Sequence, residues 1–189
     1  MLPNIRRHSV VVAQIALLLV EGFHKNEIRP SLIPDRDLVA AGALLHDIAK
    51  TPCLKNGCDH ARKGAEICIQ LGYPEIASIV EEHVVLRDHD AARRQQGMFN
   101  AREIIYYADK RVRHEEIVSL EDRLEYILEH YGNGDPRMRH LIRLNFAQCV
   151  ELEKYLFAFL PFSFAALAGK IAQAAPDSPF SIISDEKRL

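Results

Sequence analysis

Apolar side chains recur at helical spacing along almost the whole chain. The first such stretch places Ile5, His8, Val12, Ile15 and Leu19 three or four residues apart. This spacing puts all five side chains on one face of an α-helix. No segment alternates apolar and polar residues as a half-buried strand does. The sequence therefore predicts an all-α fold, and 189 residues are enough to bury a full core.

The pattern predicts five helices in the first part of the chain and two or three in the second. The first five cover about residues 4–23, 35–51, 59–71, 74–86 and 101–113. The later helices cover about residues 119–131, 136–160 and 162–174. Asp35 is the predicted N-cap of the second helix, which should end before Pro52. The charged segment 87–97 is predicted to be a loop or a lid.

Each of the five early helices carries a histidine or an aspartate where its apolar face should continue. These residues are His8, His46 with Asp47, His60, His83 and Asp109. A buried charge is costly unless it is paired or bound to a metal. One such residue is usually satisfied within the core, but five helices with the same departure favour a shared metal site. Imidazole and carboxylate donors suit Fe, Mn, Co, Ni or Zn.

The remaining histidines do not follow this pattern. His24, His89, His114 and His130 fall at helix ends, in loops or on polar faces, and are predicted to lie on the surface. For His140 the pattern fits both a surface position and a buried one.

Six ligands exceed what one closed site needs and fit two divalent metal ions, with Asp47 as the candidate bridge. Two ions can hold a phosphoryl oxygen and activate a water molecule, which makes Asp47 a candidate catalytic residue. Lys50 follows His46 and Asp47 by one helical turn, so it is a candidate to contact a phosphate. Its alternative role is to pair with a nearby carboxylate.

Three further cations adjoin Asp109 and are candidate substrate-binding residues. They are Lys110, Arg111 and Arg113. Solvation at a helix end is the simpler explanation for each of them taken singly.

The net charge and composition of the chain limit the classes of partner that it is expected to bind. A formal net charge of −2 gives no bulk attraction to nucleic acid. The four cysteines are not spaced as a disulfide framework, so reduced thiols in a cytoplasmic protein are expected. The apolar runs 10–20 and 155–169 are too short to span a membrane. The second run is expected to pack on the core, with a homodimer interface as the alternative.

The ordered set of lone His, His-Asp, two further His and a final Asp resembles the HD-domain metal-dependent phosphohydrolases. Within that family, two stretches are similar to the small bacterial hydrolases that cleave diadenosine tetraphosphate symmetrically. They are His60-Ala61-Arg62-Lys63-Gly64-Ala65 and Tyr106-Tyr107-Ala108-Asp109. The chain departs from that group after Asp109, where Lys110-Arg111-Val112 replaces its usual aromatic-acidic-proline pattern. Gly72-Tyr73-Pro74 precedes a single histidine, which speaks against the cyclic-di-GMP phosphodiesterase branch.

The resemblance implies a helical bundle around a metal site that hydrolyses a phosphoester or phosphoanhydride, with a nucleotide or dinucleoside polyphosphate as the expected substrate. It predicts a metal-binding core over residues 1–115, a C-terminal helical extension over 116–175 packed on that core, and a flexible tail over 176–189. Two alternatives stay open. Relatives with the same ligands include di-iron oxygenases, and a metal-binding domain can also act as a non-catalytic sensor or scaffold.

Overall fold

The computed structural model describes residues 1–26 and 32–174, and the predicted tail lies outside these residues. The fold is all-α, as predicted, with one very short two-stranded sheet. The helices are α1 Pro3–Lys25, α2 Arg36–Leu45, α3 Lys50–Asn56, α4 His60–Gln70, α5 Pro74–Glu82, α6 Ala91–Gln95, α7 Ala101–Lys110, α8 Leu120–Tyr131, α9 Pro136–Ala158 and α10 Leu167–Ala174, with a 3-10 turn at Phe164–Ala166 before α10. The strands are β1 Val112–Arg113 and β2 Glu116–Ile117, paired antiparallel.

Side-chain caps fix where several helices begin. The carboxylate of Asp35 accepts a hydrogen bond from the backbone N–H of Leu38 at 2.8 Å, as predicted for the start of α2. Asp59 caps α4 in the same way, immediately before His60. Asn100 and Glu103 form a reciprocal capping box at the start of α7. Each cap satisfies backbone donors that a helix leaves unpaired at its first turn.

The long helix α1 packs on α2 and α7, while α4 packs on α5. Gly42 lets α2 approach α5 and α7 closely. A Cβ at this position would come within 2.8 Å of the Ile79 side chain on α5 and 2.9 Å of the Ile105 side chain on α7. Leu152 and Leu156 of α9 are buried in the same hydrophobic cluster as the apolar face of α1. This packing brings the polar ends of four helices to the inner side of α1. They are the ends of α2, α4, α5 and α7. The predicted division at residue 115 stays a prediction.

The second predicted helix is interrupted where the sequence predicted it to continue. Helix α2 ends at Leu45, residues 46–49 form a turn, and α3 begins at Lys50. Pro52 therefore lies in the first turn of α3, where a proline costs no backbone hydrogen bond. His46 and Lys50 do not share one helix, contrary to the prediction.

The fifth predicted helix is shorter than predicted, because α7 ends at Lys110 and the β1–β2 hairpin follows. His114 lies in the turn of this hairpin and has a φ of 57°. The prediction of no strands was wrong here, because two-residue strands are too short to show any alternation. Segment 87–97 is not a free lid either. It contains α6, and Arg94 in it is buried and ion-paired to Glu103 at 2.6 Å.

The expectation of four reduced cysteines was wrong for one pair, because Cys53 and Cys58 form a disulfide. Gly57 ends α3 with a φ of 65° and turns the chain back, which brings the two Cα atoms to 4.8 Å. Cys68 and Cys149 are free and buried. Within the described residues, no helix combines the length and apolarity needed to cross a bilayer.

Candidate metal centre

The six predicted ligands come from five helices and meet in one cluster. His8 lies on α1, and His46 and Asp47 lie in the turn after α2. The other three are His60 at the first position of α4, His83 just after α5, and Asp109 near the end of α7. The structure thus brings together every histidine and aspartate that the sequence placed on an apolar face. The five other histidines are all exposed.

The cluster divides into two groups that share one carboxylate. His8, His46 and Asp47 offer donor atoms that all lie within 4.8 Å of one another. Asp47, His60 and His83 form a second group with the same property. Asp109 adjoins the first group, since its Oδ1 atom is 3.0 Å from Nε2 of His8. An aspartate common to two groups is placed as a bridging ligand would be.

Backbone carbonyls orient three of the histidines. Nδ1 of His8 donates to the carbonyl oxygen of His114 at 2.9 Å. Nδ1 of His46 and Nδ1 of His83 donate to carbonyl oxygens three residues upstream, each at 2.6 Å. With Nδ1 used in this way, each ring directs Nε2 to the centre of the cluster. Metal-binding histidines are commonly held in this way.

Two buried atoms of the cluster have no hydrogen-bond partner among the described residues. They are Nε2 of His46 and Oδ1 of Asp47. The nearest carboxylate oxygens to Nε2 of His46 lie at 3.5 Å and 3.6 Å, longer than an ordinary hydrogen bond. Leaving such atoms unpaired in a core is costly, whereas a cation between them would satisfy both. The donor set and its unpaired atoms therefore fit a divalent metal.

The ionisation of the two aspartates and of His60 also suits a metal site. Burial acts to raise the pKa of Asp47, but the charges of His46 and Lys50 and hydrogen bonds outweigh it, so this pKa is lowered. Asp109 is likewise held well below its usual pKa, against burial, by His8 and His46. Burial and the neighbouring His83 lower the pKa of His60 to about 4. Ionised carboxylates and a neutral imidazole are the forms that bind metal.

The sequence matches the model of the family described as HD domain over residues 5–135, which is more than half of the chain. The chain belongs to the HD domain family. The chain is also similar to a curated protein, a tRNA (cytidine(56)-2'-O)-methyltransferase from Picrophilus torridus (strain ATCC 700027 / DSM 9790 / JCM 10055 / NBRC 100828 / KAW 2/3). It is 42% identical over 79 residues, which are 41% of this chain and 20% of that protein. The chain thus spans about a fifth of the relative's length. No solved structure matches.

Lys50 reaches this HD domain centre despite the break in the helix. Its Nζ atom lies 2.7 Å from Oδ2 of Asp47, while its side chain keeps 31% of its surface exposed. His60 is also partly exposed, whereas His46 and Asp47 are fully enclosed. The cluster is therefore closed on the His46 side and opens to solvent past Lys50 and His60.

The three cations after Asp109 have protein partners instead of facing the cluster. Lys110 is buried, donates to the carbonyl oxygen of Val84 at 2.9 Å and lies over the Tyr106 ring. Burial lowers the pKa of Lys110 to about 8. Arg111 is buried and ion-paired to Glu153 at 2.8 Å.

Arg113 is paired with Glu116 at 2.9 Å across the hairpin. The sequence hypothesis that Lys110, Arg111 and Arg113 bind substrate is therefore not supported. These residues follow Asp109 closely in sequence. Because α7 ends at Lys110, however, their side chains contact other elements.

Sequence reasoning missed the carbonyl groups that orient the histidines. His114 was assigned to the surface, and its ring is exposed, yet its backbone carbonyl holds His8. No sequence signal marks a backbone role of this kind. The carbonyls that hold His46 and His83 lie three residues before each histidine, at Ala43 and Val80. A histidine at the last turn of a helix can make this contact with its own helix.

Proposed function

We propose that this HD domain is a metal-dependent phosphohydrolase that cleaves a phosphoester or phosphoanhydride bond of a nucleotide or dinucleoside polyphosphate. The observation that carries the proposal is the pair of ligand groups that share Asp47, together with the unpaired Oδ1 atom of that residue. His8, His46 and Asp109 would hold one divalent ion, His60 and His83 the other, and Asp47 would bridge them. The ions would be drawn from Fe, Mn, Co, Ni and Zn.

When bound, two such ions neutralise phosphate charge and lower the pKa of a bound water molecule. The chain's own residues do the rest. The closed side of the cluster, at His46, excludes bulk water and keeps the ligand charges in a medium of low polarity. The open side, at Lys50 and His60, is where a phosphate can approach.

Lys50 is placed to hold that phosphate. Its ammonium is held in the charged form, because Asp47 and Asp109 outweigh the burial that would lower its pKa. A positive charge fixed beside the ligands stabilises the additional negative charge that develops on a transferring phosphoryl group. Lys50 therefore belongs to the proposed catalytic set together with Asp47.

Metal analysis of protein purified without chelator, followed by a hydrolysis screen, tests the proposal. The screen should contain mononucleotides, diadenosine tetraphosphate and tRNA, the last because the relative from Picrophilus torridus is by its name a tRNA-modifying enzyme. It should detect both inorganic phosphate and ADP, because symmetrical cleavage of diadenosine tetraphosphate yields ADP and no free phosphate. About two metals per chain with hydrolysis of nucleotides is the expected result.

The matched variants are His60→Gln and His140→Gln. The first should lose metal and activity, while the second changes an exposed histidine and should keep both. Absence of metal from the wild-type protein would contradict the proposal. Two irons with oxygen consumption and no phosphate release would favour the oxygenase, and metal without either activity would favour a sensor.

A further inference from the structure

A second cluster of polar aromatic and cationic side chains lies beside the metal centre, and the ligand set does not use it. We call it the α8 cluster and define it as His114, Arg123, Tyr126 and His130. The Tyr126 and His130 rings stack with centroids 4.0 Å apart and planes inclined by 23°. The His114 ring meets Tyr126 edge-on at 5.3 Å, and the Arg123 guanidinium lies 5.4 Å from the Tyr126 ring centroid.

The α8 cluster is joined to the metal centre by a single hydrogen bond. The carbonyl oxygen of His114 accepts from Nδ1 of His8, one of the ligands. The ring of His114 contacts Tyr126, and it is exposed. His114 therefore contacts a candidate ligand through its backbone while its side chain belongs to the α8 cluster.

Helix α8 carries the two ends of the cluster. Along it, seven residues separate Arg123 from His130, a rise of about 10 Å. This distance is comparable to the length of a nucleotide.

Arg123 differs from the other buried or half-buried arginines described above. Arg94, Arg111 and Arg113 each have a carboxylate partner. Within the described ranges 1–26 and 32–174, Arg123 contacts an aromatic ring and has no carboxylate at ion-pair distance. A half-exposed guanidinium without a counter-ion is free to receive an anion, and its planar fork matches phosphate oxygens.

We propose that the α8 cluster is a nucleotide subsite in which Arg123 binds a phosphate group and the exposed ring of His130, backed by Tyr126, stacks on the nucleobase. The ligand class is a nucleoside polyphosphate whose scissile phosphate lies at the metals. Stacking on a flat ring accepts any base, so the subsite selects for a base and a phosphate chain and not for one base identity. The inference rests on the proposed function for the position of the scissile phosphate.

Equilibrium binding by titration calorimetry separates the two parts of the subsite. The two probes are ATP, which has a base, and inorganic tripolyphosphate, which has none. Arg123→Gln should weaken binding of both probes by about 10-fold or more, since a charge-assisted contact is lost. His130→Ala should weaken ATP binding by about 5-fold or more and leave tripolyphosphate unchanged, because only the stacking surface is removed.

Two variants outside the α8 cluster serve as controls. Arg36→Gln removes an exposed arginine at the opposite end of α2 from His46, and His140→Ala removes an exposed histidine on α9. Both should bind the two probes as the wild type does. Circular dichroism should show that all four variants keep the helical fold.

Hydrolysis of the same probes, measured in parallel, distinguishes failure of this inference from failure of the proposed function. ATP bound with the expected pattern but no hydrolysis of any nucleotide in the screen would keep the subsite and refute the hydrolase. Phosphate release with equal ATP affinity in wild type, Arg123→Gln and His130→Ala would keep the hydrolase and refute the subsite. Wild-type protein that binds neither probe would also refute the subsite.

Discussion

Two buried carboxylates in this molecule, Glu103 and Asp47, differ in how completely they are paired. Around Glu103, which is fully buried, Arg94 donates to the carboxylate at 2.6 Å, Arg93 at 2.8–2.9 Å and the backbone N–H of Asn100 at 2.9 Å. Around Asp47, equally buried, one carboxylate oxygen has no partner among the described residues. Burial of charge alone therefore does not indicate a functional site. A buried carboxylate whose set of partners is incomplete does indicate one.

The loss of Asp47 should have the largest effect. Asp47→Ala removes the residue common to both ligand groups, so bound metal should disappear and phosphohydrolase activity should fall at least about 1000-fold. Elemental analysis and phosphate release measure the two effects. Unchanged metal content in this variant would show that the unpaired oxygen does not mark a ligand, and the comparison would then fail.

The corresponding change in the paired cluster should act on stability alone. Glu103→Ala leaves Arg94 buried without its partner, which typically costs about 3–5 kcal/mol of folding free energy. Denaturant unfolding measures this loss. Metal bound per folded chain should equal that of the wild type, and a loss of metal equal to that of Asp47→Ala would mean that the two clusters are not functionally distinct.

Metal removal should destabilise the wild-type protein and spare the variant that cannot bind metal. A ligand present at 100 to 1,000 times its dissociation constant stabilises the folded state by about 3–4 kcal/mol. Chelator should therefore lower the melting temperature of the wild type but not that of Asp47→Ala. Equal melting temperatures of the wild type with and without chelator would contradict the expected coupling.

Lys50 should affect the reaction and leave metal binding intact. Lys50→Ala removes one preorganised charge beside the ligands, and we expect a loss of about 2–4 kcal/mol of transition-state stabilisation. The measurements are kcat/KM and metal content. Lys63→Ala, which removes an exposed lysine paired with Glu66 on α4, is the matched control. Full activity of Lys50→Ala would assign Lys50 to simple pairing with Asp47.

The disulfide should have the smallest effect. It closes a short loop between the helix that begins at Lys50 and the helix that begins at His60, and such a loop contributes about 2 kcal/mol to stability in the chain-entropy model. Cys58→Ser should lower stability by that amount without changing metal content. A loss of metal in Cys58→Ser would show that the covalent link, and not the ligands alone, sets the position of His60.

The clustering of these six side chains could be predicted from the sequence because each stands on an apolar face at a position where an apolar residue is expected. His8 and His83, for example, continue an apolar stripe, and this signal needs no knowledge of the fold. The all-α fold followed from the same periodicity. The position of Lys50 beside Asp47 was also predicted, although the helix expected to hold both residues is two helices and a turn.

The errors have a common physical origin in tertiary contacts that no local pattern records. In sequence, Lys110 and Arg111 look like cations at an exposed helix end. In the structure both are buried, because their hydrogen-bond and ion-pair partners lie on other elements. Arg94 lay in a segment predicted to be a loop or lid, and its partner Glu103 lies nine residues further along the chain. Arg123 and Tyr126 belong to a helix that gave no sign of its position beside the metal centre.

The hydrogen bond from His8 to the carbonyl of His114 has a consequence for how the protein is made. The ring that must be oriented is near the beginning of the chain, and the group that orients it is 106 residues later. At ribosomal elongation rates of about 5–20 residues per second, roughly 5–20 seconds separate the synthesis of the two. A nascent chain therefore displays His8 before the carbonyl group that orients its ring has been made.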